Sequence, residues 1–501
     1  MRPVRLVPAA VVLLALGAVA AVAQFDRPAA APPGHAVMPP RQTAVTSAAR
    51  ACPPVPGGGS GTVAFIAGPS PAASGPAGRP GQAELAPLPL AGAELRAAAP
   101  VSPEVPDALQ MLAIPAAQSA SKKNTQVLQG WSVTASDTMA QAMEAELTQS
   151  PGLGAVRCGE PGSDIWFIGP GQQGGAAQIQ LDLMNVDTLA ASVDVSVITD
   201  AGRVQAGDAT ALTVPPHQTV TESLSSLAGG SSVVALEVRT SIGRVAADVA
   251  ESSSHGGSAS WLPSTAAPST QLVIPGVPPS GSPAGLYVVV PGSSDAKVSV
   301  LAVTPQGPYY PFGSQTEDLP GGSASYVPLT PLGGTASALE LTANVPVTAS
   351  VLVPGSGLGA LTAATAPISE QAVVAGNSTG SGLGAALVLS APAGSARVRL
   401  TETAEATATR ASADGAVATA SQAVSVPAGH TLTVPVSAPR DARRGTPFAV
   451  ILTPLAGSGP VYAARVETRG QNTVVSIIPA VSALTTIPLP PVRDSYDAIS
   501  P

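Results

Sequence analysis

Short runs in which apolar and polar residues alternate, each closed by Gly or Pro, recur along most of this chain. In Gln178–Leu183 the residues Ile179, Leu181 and Leu183 share one side, while Gln178, Gln180 and Asp182 share the other. In Ser192–Ile198 the apolar set is Val193, Val195 and Val197. A period of two over so few residues predicts strands with one face in a core and one in water, as in antiparallel sheets packed into sandwiches. The pattern also repeats on a larger scale. Leu212–Val249 reads strand, turn, strand, loop, strand, with Pro215-Pro216 at the first corner and Gly229-Gly230 at the second; the same order returns in Leu319–Val351 and Val426–Val466. The corner prolines Pro215, Pro320 and Pro427 are 105 and 107 residues apart, the size of one β-sandwich domain. Ala235, Ala338 and Ala449 take equivalent places after the second corner, and Val245, Val347 and Val461 in the last strand of each repeat.

Continuous apolar runs punctuate the alternation. Thr62–Ala67, Asp164–Pro170, Leu286–Pro291 and Leu387–Pro392 each end at Gly or Pro, which predicts the opening strand of a module with both faces covered. The chain is therefore expected to be all-β. Tandem antiparallel β-sandwich (Ig-like) modules fall at 52–157, 158–265, 270–367 and 373–492, with a mobile tail at 493–501. The first module carries an irregular insert. Within it Met139, Met143 and Leu147, spaced four apart behind Ser136, fit a short helix over 136–149 as well as a strand. Gly- and Ser-rich stretches such as Gly376–Gly384 read as seams between modules.

Composition supports short strands and tight turns: Gly (51) and Pro (53) make up about a fifth of the 501 residues, and charged residues only 11%. A net charge of −8, with three lysines and no basic run, argues against a nucleic-acid partner, because phosphates need clustered Arg and Lys. Arg2 and Arg5 precede the apolar run Leu6–Ala23, which closes Ala21-Val22-Ala23. Residues 1–23 thus read as a secretory signal peptide, with an uncleaved membrane anchor as the rival, and 24–51 as a Pro/Ala-rich stalk. The remainder is expected outside the cytoplasm, meeting the membrane only through 1–23 if these are uncleaved. Cys52 and Cys158 are the only cysteines, and an exported chain predicts a disulfide between them.

The order WFIG (Trp166 to Gly169), LxLxNxD (Leu181, Leu183, Asn185, Asp187), VDVxV (Val193 to Val197) and VPPHxT (Val214 to Thr219) resembles a family of exported actinobacterial proteins known as a domain of unknown function. The resemblance runs roughly from Cys52 to Pro479. It implies export and β-rich domains, and it supplies no activity, ligand or catalytic residue.

Each candidate site has a plainer reading beside it. Gly376-Asn377-Ser378-Thr379-Gly380 matches the GxSxG elbow of serine hydrolases, with His430 downstream, yet an elbow needs a strand-to-helix turn and these flanks read as linker. Asn377-Ser378-Thr379 also fits a glycosylation acceptor. His217 and His430 occupy near-equivalent turns in different modules and read as exposed turn residues; His35 and His255 complete the set. Gly355–Gly359 and Gly380–Gly384 lack the βαβ setting of a phosphate loop. Asp182, Asp187, Asp194, Asp200 and Asp208 give the second module an acidic bias, but their spacing does not suit calcium, and they read as a solvated face. No catalytic residue, cofactor or metal is expected. Trp131, Trp166 and Trp261, with Tyr309, Tyr310 and Phe312, read as core or loop anchors, and the loop bearing the last three is the best candidate contact surface. The expected function is that of a non-enzymatic exported cell-envelope protein, a scaffold or protein-binding surface for wall or envelope components or other exported proteins. The alternatives are an array of carbohydrate- or peptidoglycan-binding modules and, further off, a serine hydrolase using Ser378.

Overall fold

The computed structural model describes residues 41–68, 81–92, 109–114, 129–150, 154–204, 211–227, 229–253, 260–279, 284–311, 316–329, 334–355, 359–379, 382–405, 419–443, 445–470 and 473–489. The expected leader, the stalk up to residue 40 and the tail at 493–501 lie outside them, as do His35, Asp208, His255, Phe312 and Gly380. The chain forms two units. The smaller holds a two-stranded ribbon of Arg41–Ala44 with Thr486–Leu489. The larger, Ala44–Thr485, holds everything below.

Eight strand positions recur in the second, third and fourth modules of the larger unit, and seven of them, all but the fourth, among the described residues of the first. In the second module they are Asp164–Pro170, Ala176–Met184, Ala191–Thr199, a split fourth (Gly202–Arg203 and Leu212–Val214), Thr219–Ser223, Val233–Ile242, Ala246–Ser253 and Ser260–Leu262. One sheet takes the fourth, third, sixth and first strands and the other the fifth, second, seventh and eighth, with every pair antiparallel. The central pairing, second with fifth and third with sixth, is that of an immunoglobulin-like sandwich; the first and seventh strands have changed sheets. The fourth module repeats the scheme with Ala372–Asn377, Leu383–Ala391, Ala396–Ala404, Thr419–Val426, His430–Val436, Phe448–Pro454, Tyr462–Arg469 and Thr473–Ala480. In the third, the sixth and seventh strands are one 17-residue strand, Ser337–Val353, which crosses from one sheet to the other around Asn344–Pro346. Ala235, Ala338 and Ala449 do coincide, pairing with Ile198, Val303 and Thr403 at the same step of the third strand.

Four local expectations change. Asp164–Pro170 is a first strand, whereas Ser60–Ile66, Ala284–Val290 and Leu383–Ala391 are second strands; both positions are covered on both faces, so both give continuous apolar runs. Residues 136–149 hold only a 3-10 turn, Asp137–Ala140, between strands Gln129–Ser136 and Glu144–Ser150. Met139, Met143 and Leu147 all reach the first core from turn, loop and strand, so their spacing of four is not helical. Gly376–Gly384 is no seam, because it joins the first and second strands inside the fourth module. The expected stalk also ends early: Ser47–Cys52 is the first strand of the first module.

The modules do not form an open string. The outer face of each second-and-seventh-strand sheet packs on the first-and-sixth-strand sheet of the module before it. Met184 and Ala246 of the second module meet Ala51 and Leu88 of the first. Tyr287, Val289 and Ala324 of the third meet Trp166, Ile168 and Ala235 of the second. Val388, Ala464 and Val466 of the fourth join the cluster that holds Leu272 and Ile274 of the third. Ala64 and Ile66 of the first then meet Val373, Ala375, Ala449 and Ile451 of the fourth, which closes the cycle. A head-to-tail contact repeated in this way closes into a ring when the rotation allows. Hydroxyls mark equivalent joints: Thr219 donates to the Leu88 carbonyl at 3.2 Å and Thr431 to the Val303 carbonyl at 2.6 Å, in each case from a fifth strand to the preceding module's third.

Ring closure overturns the expectation of one wet face per sheet. Leu181, Asp182, Leu183 and Met184 are all buried, Leu181 and Leu183 by their own core and Asp182 and Met184 on the outer face. The disulfide Cys52–Cys158 forms, with Cα atoms 4.3 Å apart, but it lies inside the first module rather than tying it to the second: both cysteines sit in the first core, and Cys158 follows that module's eighth strand and donates its N–H to the Ala145 carbonyl of the seventh.

Candidate functional site

Buried charge in this ring gathers where modules meet. Glu146, on the seventh strand of the first module, faces Arg465, on the seventh strand of the fourth, at 2.6 Å. Both side chains are withdrawn from solvent. Arg465 also donates to the Gly376 carbonyl at 2.6 Å and to Ser476 Oγ at 3.3 Å, with Glu467 at 3.8 Å. The Gly376 N–H donates to Glu146 at 3.1 Å. One guanidinium thus serves two carboxylates. Burial raises both acids, Glu146 to about 7, and outweighs the opposing pull of Arg465.

A second group joins the first two modules. Glu144 accepts from Arg50 Nε at 2.7 Å and from Arg157 Nε at 2.7 Å, and Arg50 reaches Glu160 at 3.4 Å. Asp248 and Asp182 are directly opposed across the second and seventh strands of the second module. Burial raises Asp182 to about 6 against hydrogen bonds from Thr221 and Gln180. Burial, and then the neighbouring Asp182, lift Asp248 well above the carboxylate range. Glu251 is fully buried with neither oxygen hydrogen-bonded, and burial alone lifts it. Its register is informative: Glu251 stands opposite Ile179 and Glu467 opposite Ala385, the same interior position in two modules. Only the fourth module supplies an arginine there.

At the hub of the ring, eighth strands of adjoining modules pack against one another. Arg157, Asp248, Trp261, Ser264 and Ile478 help to line a cavity of about 30 Å3 between the first, second and fourth modules. That volume is room for about one water. Among the described residues no group of three or more His, Cys, Asp or Glu could hold a metal ion.

The sequence candidates are dispersed. Ser378 follows the bulged first strand of the fourth module, and strand rather than helix follows it; its N–H bonds Glu467. Asn377 is buried and spent on the carbonyls of Val374 and Phe448. His430 stands opposite Ala391, at the far end of the second strand, so the structure does not bring it to Ser378. His217 is an exposed turn residue with φ of 53°. Trp131, Trp166 and Trp261 are buried. The acidic set of the second module does not converge: Asp182 is buried rather than solvated, Asp187 pairs with Arg244 at 2.9 Å, and Asp194 and Asp200 cap the N–H groups of Ala211 and Ser232. Tyr309 and Tyr310 are 37% and 46% exposed, Tyr309 closing the short strand Gly307–Tyr309 of the third module and Tyr310 following it. Sequence reasoning missed Glu146, Glu251 and Arg465, although Glu251 and Arg465 interrupt an otherwise apolar phase of their strands.

Residues 116–437, more than half of the chain, match the DUF5719 model, a family of unknown function, and the chain belongs to that family. The match takes in the second and third modules entire and parts of the two that flank them. No curated protein matches the chain.

Proposed function

With that family as premise, we propose that this protein is an exported, non-enzymatic component of the cell envelope whose ring of four sandwiches is a rigid scaffold for other proteins. The observation that carries the reading is the closure itself. Four module contacts consume the broad apolar sheet faces, so partners are left with loops, strand edges and the rim. A scaffold that must hold loops in fixed relative positions gains from such closure, whereas a string of hinged modules would lose that precision on binding. The Cys52–Cys158 disulfide supports a compartment outside the reducing cytoplasm. The segment 1–23 supports export, and anchoring if it is retained. The test is protease accessibility of the full chain on intact cells: digestion of the ring's exposed loops without lysis is expected, and protection until lysis would overturn the location.

Wall binding is the second reading, favoured by the adjacent exposed rings of Tyr309 and Tyr310. Retention on purified wall that is lost in the Tyr309→Ala, Tyr310→Ala double variant would replace the scaffold reading with this one.

A further inference from the structure

The outermost strand of the fourth module, Thr419–Val426, differs from its counterparts. Fourth strands in the second and third modules are broken into two- or three-residue pieces, Gly202–Arg203 with Leu212–Val214 and Gly307–Tyr309 with Glu317–Leu319. Interrupted edges of that kind protect a sheet against further pairing. Thr419–Val426 instead pairs without a bulge along eight residues of Ala396–Ala404 and contains no charge and no proline. It ends its sheet, and its first five residues are all exposed.

The next strand inward supplies charge. Val398 and Leu400 enter the core, so Arg397 and Arg399 stand on the outer face, and both are exposed. Neither makes an ion pair among the described residues. They lie beside Ser425 and Ala423. Those small neighbours leave open the path over the edge strand, whose width is about 4.8 Å, and an arginine side chain is long enough to cross it.

We propose that this edge binds an extended segment of a partner protein as an added strand, and that Arg397 and Arg399 select segments with carboxylates two residues apart on the outer face. Backbone pairing supplies the affinity and the two guanidinium groups the register, since a slip of one residue turns both carboxylates to the other face. The inference rests on the protein-scaffold reading for a protein partner, and it names that partner's chemistry.

The experiment uses the full chain and two fluorescent octapeptides, TVEVEVTV and TVKVKVTV, read by anisotropy. The acidic peptide is expected to bind at least tenfold more tightly than the basic one. The Arg397→Glu, Arg399→Glu variant should reverse the preference, and Ala423→Pro should weaken both peptides, with unchanged circular dichroism showing that each variant is folded. Equal binding of both peptides, or an unreversed preference in the charge-swapped variant, would overturn the proposal. So would a dimer in native mass spectrometry that Ala423→Pro converts to monomer, because a second copy would then own the edge. None of these outcomes touches the accessibility test of the scaffold reading.

Discussion

Replacing Glu146 with Gln is expected to change how the stability of the ring depends on pH. In the unfolded chain this carboxyl titrates near its ordinary 4.5, and in the ring near 7. Its folded value is the higher, so the folded state holds the proton more tightly. The stability this contributes is therefore complete below pH 4.5 and is lost as pH rises through 7. The gap between 4.5 and about 7 corresponds to about 3 kcal/mol of stability. Glutamine keeps the shape and cannot ionise, so the variant should match the parent near pH 4 and gain on it by about 3 kcal/mol by pH 8, with about 2.5 kcal/mol of that between pH 5 and pH 8. Unfolding entropy of about 2.1 cal/mol/K per residue over roughly 440 residues is about 0.9 kcal/mol/K. Calorimetry should then show the melting temperature of the variant rising relative to the parent by about 3 °C between pH 5 and pH 8, if the ring melts as one. A gap that does not change with pH would refute the argument. A gap that moves in favour of the parent at pH 8 would show that the ionised Glu146–Arg465 pair outweighs the penalty of burial.

Glu251→Gln should act in the same direction, raising the melting temperature at pH 8 and leaving it nearly unchanged near pH 5, because burial alone lifts that acid and nothing bonds it. Reduction of Cys52–Cys158, which spans 106 residues, should cost about 4 kcal/mol, seen as a lower melting temperature in dithiothreitol that is absent from a double-alanine variant. Gly276→Ala should destabilise the contact between the third and fourth modules by about 1–3 kcal/mol in urea titration, since the added methyl would lie 2.3 Å from Ala464 Cβ at a residue whose φ is +75°.

The strands and their repeat were legible because alternation is a local property of the chain: Ile179, Leu181 and Leu183 announce a core wherever the rest of the protein lies. The ring was half legible. Continuous runs such as Tyr287–Val290 declared that both faces are covered, but an apolar residue does not name what covers it, and Ala64 meets Ala449 across nearly the whole chain. Asp182 was placed on a wet face because alternation cannot distinguish water from another module's sheet. Glu251 and Arg465 did leave a signal, as charged residues in the phase of Val249 and Ala463. Glu146 left none, since its strand phase allows a solvated carboxylate.

Because the last contact of the cycle joins the two ends of the larger unit, its completion is a matter of timing. Synthesis delivers Ala64 and Ile66 hundreds of residues before Ala449 and Ile451 exist to shelter them. Through that interval the amino-terminal sandwich carries a bare oily flank, and contacts so distant along a chain form late. The final hundred residues are thus the lid for the first hundred, and a chain halted before them leaves its opening module exposed to whatever apolar surface drifts past.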